Sequence, residues 1–315
     1  MAMVEPLHVS YCSCKIIARR RMPQACSPNA SIPCPWPRVS LSPATTMARA
    51  LGQRRCLGNA VGLTTLSDVL EQLHAFQRRA HPDDSDREGG SPPAELESWL
   101  TSPTAAEAPR RICEIGVNSG ESAAAWLCAY PQASYLGFDL MRFNATVDAA
   151  AFLSRTFPNR VSIVAGNTLE TLPRHALAHP GTCDVLSIDG GHSFQVALSD
   201  LSYARVLASD RHTVVMDDLR CVQWWCKPPT AVWQYFKHRR ALHERDCRVA
   251  GCCTGWCWGR FDLEAPQPEA SGVCGPNAAR SKHGKTCLLK AQSLLLPNGS
   301  LRGWHRSARR FTSPG

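Results

Sequence analysis

From residue 64 onward the hydrophobic positions alternate between two rhythms. TTLSDVLEQLHAFQRR, 64–79, places Leu66, Val69, Leu70, Leu73 and Phe76 on one face of a helix, with Thr or Ser available as its cap. A polar stretch, HPDDSDREGGSPP, reads as a linker. Short runs rich in Val, Ile and Leu then predict strands: RICEIG at 111–116, SYLGFD at 134–139, VSIVAG at 161–166, DVLSID at 184–189 and HTVVMD at 212–217. Each is apolar on both faces, as a parallel sheet covered by helices requires. Between them helical spacing predicts ESAAAWLCAY at 121–130, ATVDAAAFLSRTF at 145–157, TLETLPRHALAH at 168–179 and FQVALSDLSYARVLA at 194–208. Strand and helix alternating in this way give right-handed crossovers. After the fifth strand the rhythm changes: a helix, PTAVWQYFKHRRALHE at 229–244, leads into CRVAGCC and GWCWGRFDL, two strands that suggest a hairpin closing one sheet edge. The pattern predicts a doubly wound, mostly parallel α/β domain with a C-terminal antiparallel hairpin over residues 61–263.

Charge confines the domain to that middle. The 315 residues carry a net +9, but residues 1–56 hold +7 and residues 264–315 hold +6, which leaves 57–263 at −4. The basic character therefore belongs to the ends and gives no reason to expect nucleic acid as a partner. Both ends, residues 1–60 and 264–315, lack sustained periodicity and are rich in Pro, Ser and Gly, so both read as disordered. The first, with Arg and Ser and a single acid, fits an organelle transit peptide; Met47 is an alternative start. No stretch approaches the ~18 apolar residues of a spanning helix, and the expectation is a soluble intracellular protein, cytoplasmic or organellar. Of the sixteen cysteines, Cys113, Cys128 and Cys183 fall in apolar strand or helix contexts and are expected as buried thiols. Cys247, Cys252, Cys253 and Cys257 lack a clean C-x-x-C pair, which disfavours zinc.

In such folds ligands bind at the carboxyl ends of the strands. After the first strand, Gly116-Val117-Asn118-Ser119-Gly120 has glycines where the backbone must turn and approach a ligand closely, and Ser119 or Ser122 is placed to cap the next helix. Asp139 ends the second strand 19 residues after Gly120, where a carboxylate can accept the hydroxyls of a ribose. The spacing is E-x-G-x-x-x-G rather than the G-x-G-x-x-G of dinucleotide folds, and Glu114 would repel a pyrophosphate while suiting a cationic ligand. That disfavours a nicotinamide-dependent oxidoreductase.

With these residues the segment 64–263 resembles the class I S-adenosylmethionine-dependent methyltransferases. CDVLSIDGGHSFQVALSDLSYARVLASDRHTVVMDDL, 183–219, is similar to the O-methyltransferase-like group whose fourth strand ends in Asp-Gly-x-His and whose fifth ends in Asp-Asp. It departs from that group in having Ser209-Asp210-Arg211 where Pro-Gly-Gly is usual. The resemblance implies a Rossmann-like seven-stranded sheet. It also implies S-adenosylmethionine held by the Glu114, Gly116, Asn118, Ser119 and Gly120 loop, with Asp139 on the ribose. Gly166 and Asn167 would flank the adenine, though they also read as an ordinary turn.

Asp189, Asp217 and Asp218 end neighbouring strands, and oxygen ligands of this kind suit Mg²⁺; Asp189 is equally placed to meet the cofactor's amino group. His192, in the same loop, is placed to accept a proton, or to serve as a plain hydrogen-bonding residue. Trp224 and Trp225 lie where an aromatic acceptor would be held, with Trp233 read as core. The expected activity is methyl transfer to a hydroxyl of a small molecule. The alternative is an inactive cofactor-binding or protein-interaction module of the same fold.

Overall fold

The computed structural model describes residues 55–80, 100, 108–221, 223–250 and 254–266. The elements run α1 (Leu66–Ala80), β1 (Arg111–Ile115), α2 (Glu121–Ala129), β2 (Ser134–Asp139), α3 (Asn144–Thr156), β3 (Val161–Ala165), α4 (Thr168–Ala178), β4 (Cys183–Ile188), α5 (Phe194–Leu207), β5 (Ala208–Met216), α6 (Lys227–His238), β6 (Leu242–Ala250) and β7 (Thr254–Phe261). The strands form one seven-stranded sheet in the order β3-β2-β1-β4-β5-β7-β6. The first five are parallel, while β7 is antiparallel to both β5 and β6. This is the predicted doubly wound architecture with its closing hairpin. No helix among the described residues is long and apolar enough to cross a membrane. The expectations for residues 1–54 and 267–315 lie outside the described residues.

Two apolar layers cover the sheet. Side chains of α1, α2 and α3, with Leu66, Trp126 and Leu153 fully buried, pack on one face. Those of α4, α5 and α6, with Leu172, Leu201 and Trp233, pack on the other. Truncating one of the buried tryptophans to Ala costs about 3–5 kcal/mol in such a setting.

Three departures from the sequence reading have local causes. Strand β3 sits at the sheet edge, so Ser162 and Ala165 are exposed although the run looked apolar on both faces. Helix α6 ends at His238 rather than at 244: Arg240 adopts a left-handed φ of 57°, and the Ala241 N–H returns to the Phe236 carbonyl at 2.9 Å. That is a helix stop made without the glycine that usually marks one, and the residues after it begin β6. Strand β5 starts at Ala208, so Ser209-Asp210-Arg211 is extended, with a register irregularity against β4 in place of a glycine turn.

The cysteines of the described residues are not thiols. All eight in the described residues are paired: Cys56–Cys128, Cys113–Cys183, Cys221–Cys226 and Cys247–Cys257. Cys113, Cys128 and Cys183, expected as buried thiols, are buried half-cystines instead; burial alone was legible in the sequence, partners were not. With 72 residues of separation, the Cys56–Cys128 bridge removes unfolded-chain entropy equivalent to about 4 kcal/mol on the loop-closure account.

Under the first loop, the Glu114 side chain crosses from β1 toward both neighbours. The Tyr135 hydroxyl on β2 donates to one oxygen and the Ser187 hydroxyl on β4 donates to the other, at 3.2 Å. Glu114 is 0 % exposed, and burial pushes its carboxyl up to about 7, against the opposing pull of those hydroxyls. The folded state thus keeps a proton that the unfolded chain, titrating near 4.5, gives up. Between those values each pH unit lowers stability by about 1.4 kcal/mol through this group. Glu114→Gln, which cannot ionise, is expected to show a flatter stability profile, retaining about 2–3 kcal/mol that the wild type loses between pH 5 and 7. Urea unfolding at several pH values checks this; parallel profiles for the two proteins would refute it.

Candidate functional site

The strand order reverses between β1 and β4, and the loops leaving those strands face each other across the gap. Their backbones touch. Gly116 has φ +91°, and a Cβ built there would lie 1.9 Å from the Asp189 carbonyl oxygen, so no other residue fits. The Asp189 N–H donates in turn to the Ile115 carbonyl at 2.8 Å.

Asp139, at the end of β2, fixes the first loop. Its Oδ2 accepts from the Val117 and Asn118 N–H groups at 2.8 and 3.1 Å, and Oδ1 from Met141 N–H at 2.7 Å. A carboxylate offers about four acceptor positions, so one remains for a ligand hydroxyl. Gly120, with φ 80°, takes the N-cap of α2 without a side-chain cap bond, and neither Ser119 nor Ser122 caps the helix. Ser119 is buried, and its carbonyl accepts from Gln77 of α1 at 3.0 Å. The same Gln77 amide donates to the Ala145 carbonyl at 3.0 Å and thereby ties the loop to α1 and α3. Sequence reasoning missed Gln77 because a lone amide on an amphipathic helix looks solvated.

Glu114 lies beneath this loop, inside the sheet. Its side chain is engaged by Tyr135 and Ser187 rather than offered to the cleft, so the expected repulsion of a pyrophosphate has little force. Gly166 and Asn167 follow β3 as a cap: Asn167 Oδ1 accepts from the Leu169 N–H at 3.1 Å and opens α4. Gly166, with φ 130°, donates its N–H to the Asp139 carbonyl at 2.8 Å, which keeps this turn beside the end of β2.

On the other side of the gap the acids converge. Asp189, Gly190, His192, Asp200, Asp217 and Asp218 line one small cavity. His192 Nε2 and Asp218 Oδ2 are 2.5 Å apart. One ligand atom from each of Asp189, His192 and Asp218 lies within 4.8 Å of the others, a set that brings in His192 where the sequence suggested Asp217. Burial, with the neighbouring Asp217 and Asp218 adding, pushes the Asp189 carboxyl well above its usual range. Crowded acids of this kind favour a proton or a cation among them. Asp218 reaches the cavity through a left-handed backbone, φ 56°, which lets two adjacent acids at a strand end avoid pointing to opposite faces.

Asp200 is a second residue that the sequence did not flag. It sits on α5, 1 % exposed, directly behind Gly190, where a Cβ would come within 2.7 Å of its Oδ2. Burial pushes its carboxyl up to about 7, with the Thr168 hydroxyl pulling the other way. The signal for it was the Gly190-Gly191 pair, which implies something bulky or charged immediately beneath the turn. Of the tryptophans, Trp233 is core and donates to Glu244 at 2.7 Å, whereas Trp224 is 63 % exposed and packs edge to face against Trp225.

No curated protein matches the chain in sequence. Among solved structures, it is similar to Rv0187 from MTB, determined with cofactor bound, at 21 % identity, with 64 % of this chain and 92 % of that one covered and a TM-score of 0.51. It is also similar to TomG from Streptomyces achromogenes, an O-methyltransferase of tomaymycin synthesis in complex with SAM, at 20 % identity, 61 % and 89 % coverage and a TM-score of 0.47. A third similar structure is an O-methyltransferase from Bacillus cereus in complex with SAH, at 14 % identity, 64 % and 93 % coverage and a TM-score of 0.49. A family model described as a methyltransferase domain matches residues 113–219, the stretch from β1 through the Asp217-Asp218 pair. The matched residues 113–219 hold both loops that face each other across the gap between β1 and β4, and the described residues share the fold of Rv0187.

Proposed function

We propose that the chain transfers a methyl group from S-adenosylmethionine to a hydroxyl of a small molecule. The observation that carries this is the juxtaposition, through Gly116 and Asp189, of a glycine-flanked loop anchored by Asp139 with a histidine–carboxylate pair. The cleft fits the cofactor by its chemistry. Gly116 and Gly120 keep the loop open to close backbone approach, Asp139 has an acceptor position left for a ribose hydroxyl, and Asn118 and Ser119 complete the loop. Gly166 and Asn167 stand at the neighbouring strand end, on the side of the adenine.

When bound, the sulfonium supplies an electrophilic methyl group. A hydroxyl oxygen would receive that methyl group and give up its proton. His192 is placed to take that proton. With its Nε2 proton shared with Asp218, a neutral imidazole carries its lone pair on Nδ1, so Asp218 sets the tautomer and aims the ring. The acceptor's other face meets Trp224 and Trp225. Catalysis then rests on placement of the two reactants more than on any covalent step.

A second reading is favoured by the compact set of Asp189, His192 and Asp218: these residues would hold a divalent cation, which lowers the pKa of a coordinated hydroxyl. Asp217 adds charge nearby, and an imidazole in the set shifts preference from Mg²⁺ toward Mn²⁺ or Zn²⁺. In that case His192 is a ligand and not the base.

Calorimetry against S-adenosylhomocysteine and NAD tests the cofactor; binding of NAD alone overturns the proposal. Asp139→Ala is expected to weaken S-adenosylhomocysteine binding about 10- to 100-fold, the worth of one or two charge-assisted hydrogen bonds. His192→Ala should bind S-adenosylhomocysteine as the wild type does but form it about 100-fold more slowly from S-adenosylmethionine across a panel of hydroxylated small molecules. Binding without turnover on any acceptor would favour an inactive module. Turnover by chelator-treated protein that neither Mg²⁺ nor Mn²⁺ changes would remove the cation reading.

A further inference from the structure

The segment joining β5 to α6 carries Asp218 at one end and is closed by a disulfide at the other, Cys221–Cys226. The segment is fixed to its neighbours at several points, and one of them touches the acid site. Leu219 is fully buried, and its N–H donates to the Gly255 carbonyl of β7 at 2.6 Å. Arg220, left-handed like Asp218, has its N–H on Thr230 Oγ1 at 2.9 Å and its guanidinium on Glu244 at 2.7 Å. The Cys226 sulfur lies 3.7 Å from Asp218 Oδ1, whereas His192 meets the other oxygen of that carboxylate. Two non-glycine residues in left-handed conformation persist only where the surroundings over-determine them. The disulfide supplies part of that constraint, and its short loop presents Trp224 and Trp225.

We propose that the Cys221–Cys226 disulfide is a positioning clamp: closed, it holds Asp218 against His192 and fixes the loop that carries Trp224 and Trp225, and its reduction by a dithiol loosens both. The proposal rests on the methyl-transfer reading for its consequence, since the clamped residues stand on the acceptor side, away from the cofactor loop. In the exchange a dithiol reductant gives up two electrons and two protons. Its thiolate attacks one sulfur of the pair, the mixed disulfide is resolved by the second thiol of the reductant, and Cys221 and Cys226 leave as thiols while the reductant becomes a disulfide.

The bridges differ in burial and in what their opening frees. Cys56–Cys128 and Cys113–Cys183 have both members at 2 % exposure or less. Cys221 is 8 % exposed and Cys226 0 %, but the loop they close carries Trp224 at 63 % exposure. Cys247 is more exposed than either, but it faces Cys257 within the β6–β7 ladder, where strand pairing on both sides holds the chain in place whether or not the sulfurs are bonded. Opening Cys221–Cys226 releases a segment; opening Cys247–Cys257 does not.

The test needs no known acceptor. The full chain is treated with graded dithiothreitol, thiols are alkylated and located by mass spectrometry, and the rate of His192 modification by diethyl pyrocarbonate is followed with tryptophan emission. Expected are labelling of Cys221 and Cys226 before Cys56, Cys113, Cys128 and Cys183, a several-fold faster modification of His192, and a shift in emission. A Cys221→Ser/Cys226→Ser double variant is expected to show the faster His192 modification without reductant. Calorimetry with S-adenosylhomocysteine is run on both forms and is expected to give the same affinity. If the pair resists dithiothreitol until the domain unfolds, or if His192 reactivity is the same with the pair open and closed, the clamp is overturned. Loss of S-adenosylhomocysteine affinity on opening would also overturn it as an acceptor-side device. Absence of S-adenosylhomocysteine binding by the oxidised wild type would instead count against the methyl-transfer reading and leave the His192 measurement to stand on its own.

Discussion

The close approach of the Gly116 and Asp189 backbones is the constraint on which the site depends. A Cβ at 116 would fall inside the Asp189 carbonyl, so the loop after β1 and the loop after β4 are in direct contact. Each of the two loops has its own anchors. Asp139 gathers three N–H groups and holds the first loop onto β2, while Glu114 bolts β1 to β2 and β4 from below. On the β4 side, Gly190 passes over Asp200 with no room for a side chain, and the turn then delivers His192 to Asp218. The glycine loop and the acid site are two edges of one backbone contact.

Polar groups inside the sheet do much of this holding, and their cost is visible. Glu114 and Asp200 are both buried carboxyls whose protons are favoured by the fold near neutral pH. A buried acid that keeps its proton acts as a hydrogen-bonding strut rather than as a charge, which is why a carboxyl can lie beneath a ligand loop without governing which ligand enters.

The sheet, its parallel order and the strand ends were legible because period and burial are local properties of the sequence: SYLGFD is β2 from its first residue to its last. Features set by partners in space were hidden. Asp139 reads as a ligand carboxylate, yet its neighbours in space are the amides of its own fold. The stop of α6 at Arg240 carries no glycine, so helical spacing ran on into β6. Asp217 and Asp218 looked equivalent, and only the left-handed turn at 218 selects the one that meets His192. Cysteine burial followed from apolar context, whereas pairing needed the sheet order that makes β4, with Cys183, the neighbour of β1, with Cys113.

The pairing of Cys56 with Cys128 and of Cys113 with Cys183 interleaves along the chain, the second bridge opening before the first has closed. A chain crossed in this way behaves as one covalent body from residue 56 to residue 183. A single backbone cut anywhere between 56 and 183 leaves both pieces tied by at least one bridge, whereas among the described residues no bridge spans a cut between 183 and 221. Strand β1, from which the glycine loop leaves, is thus held to β4 by sulfur as well as by hydrogen bonds, and that attachment outlasts the continuity of the backbone.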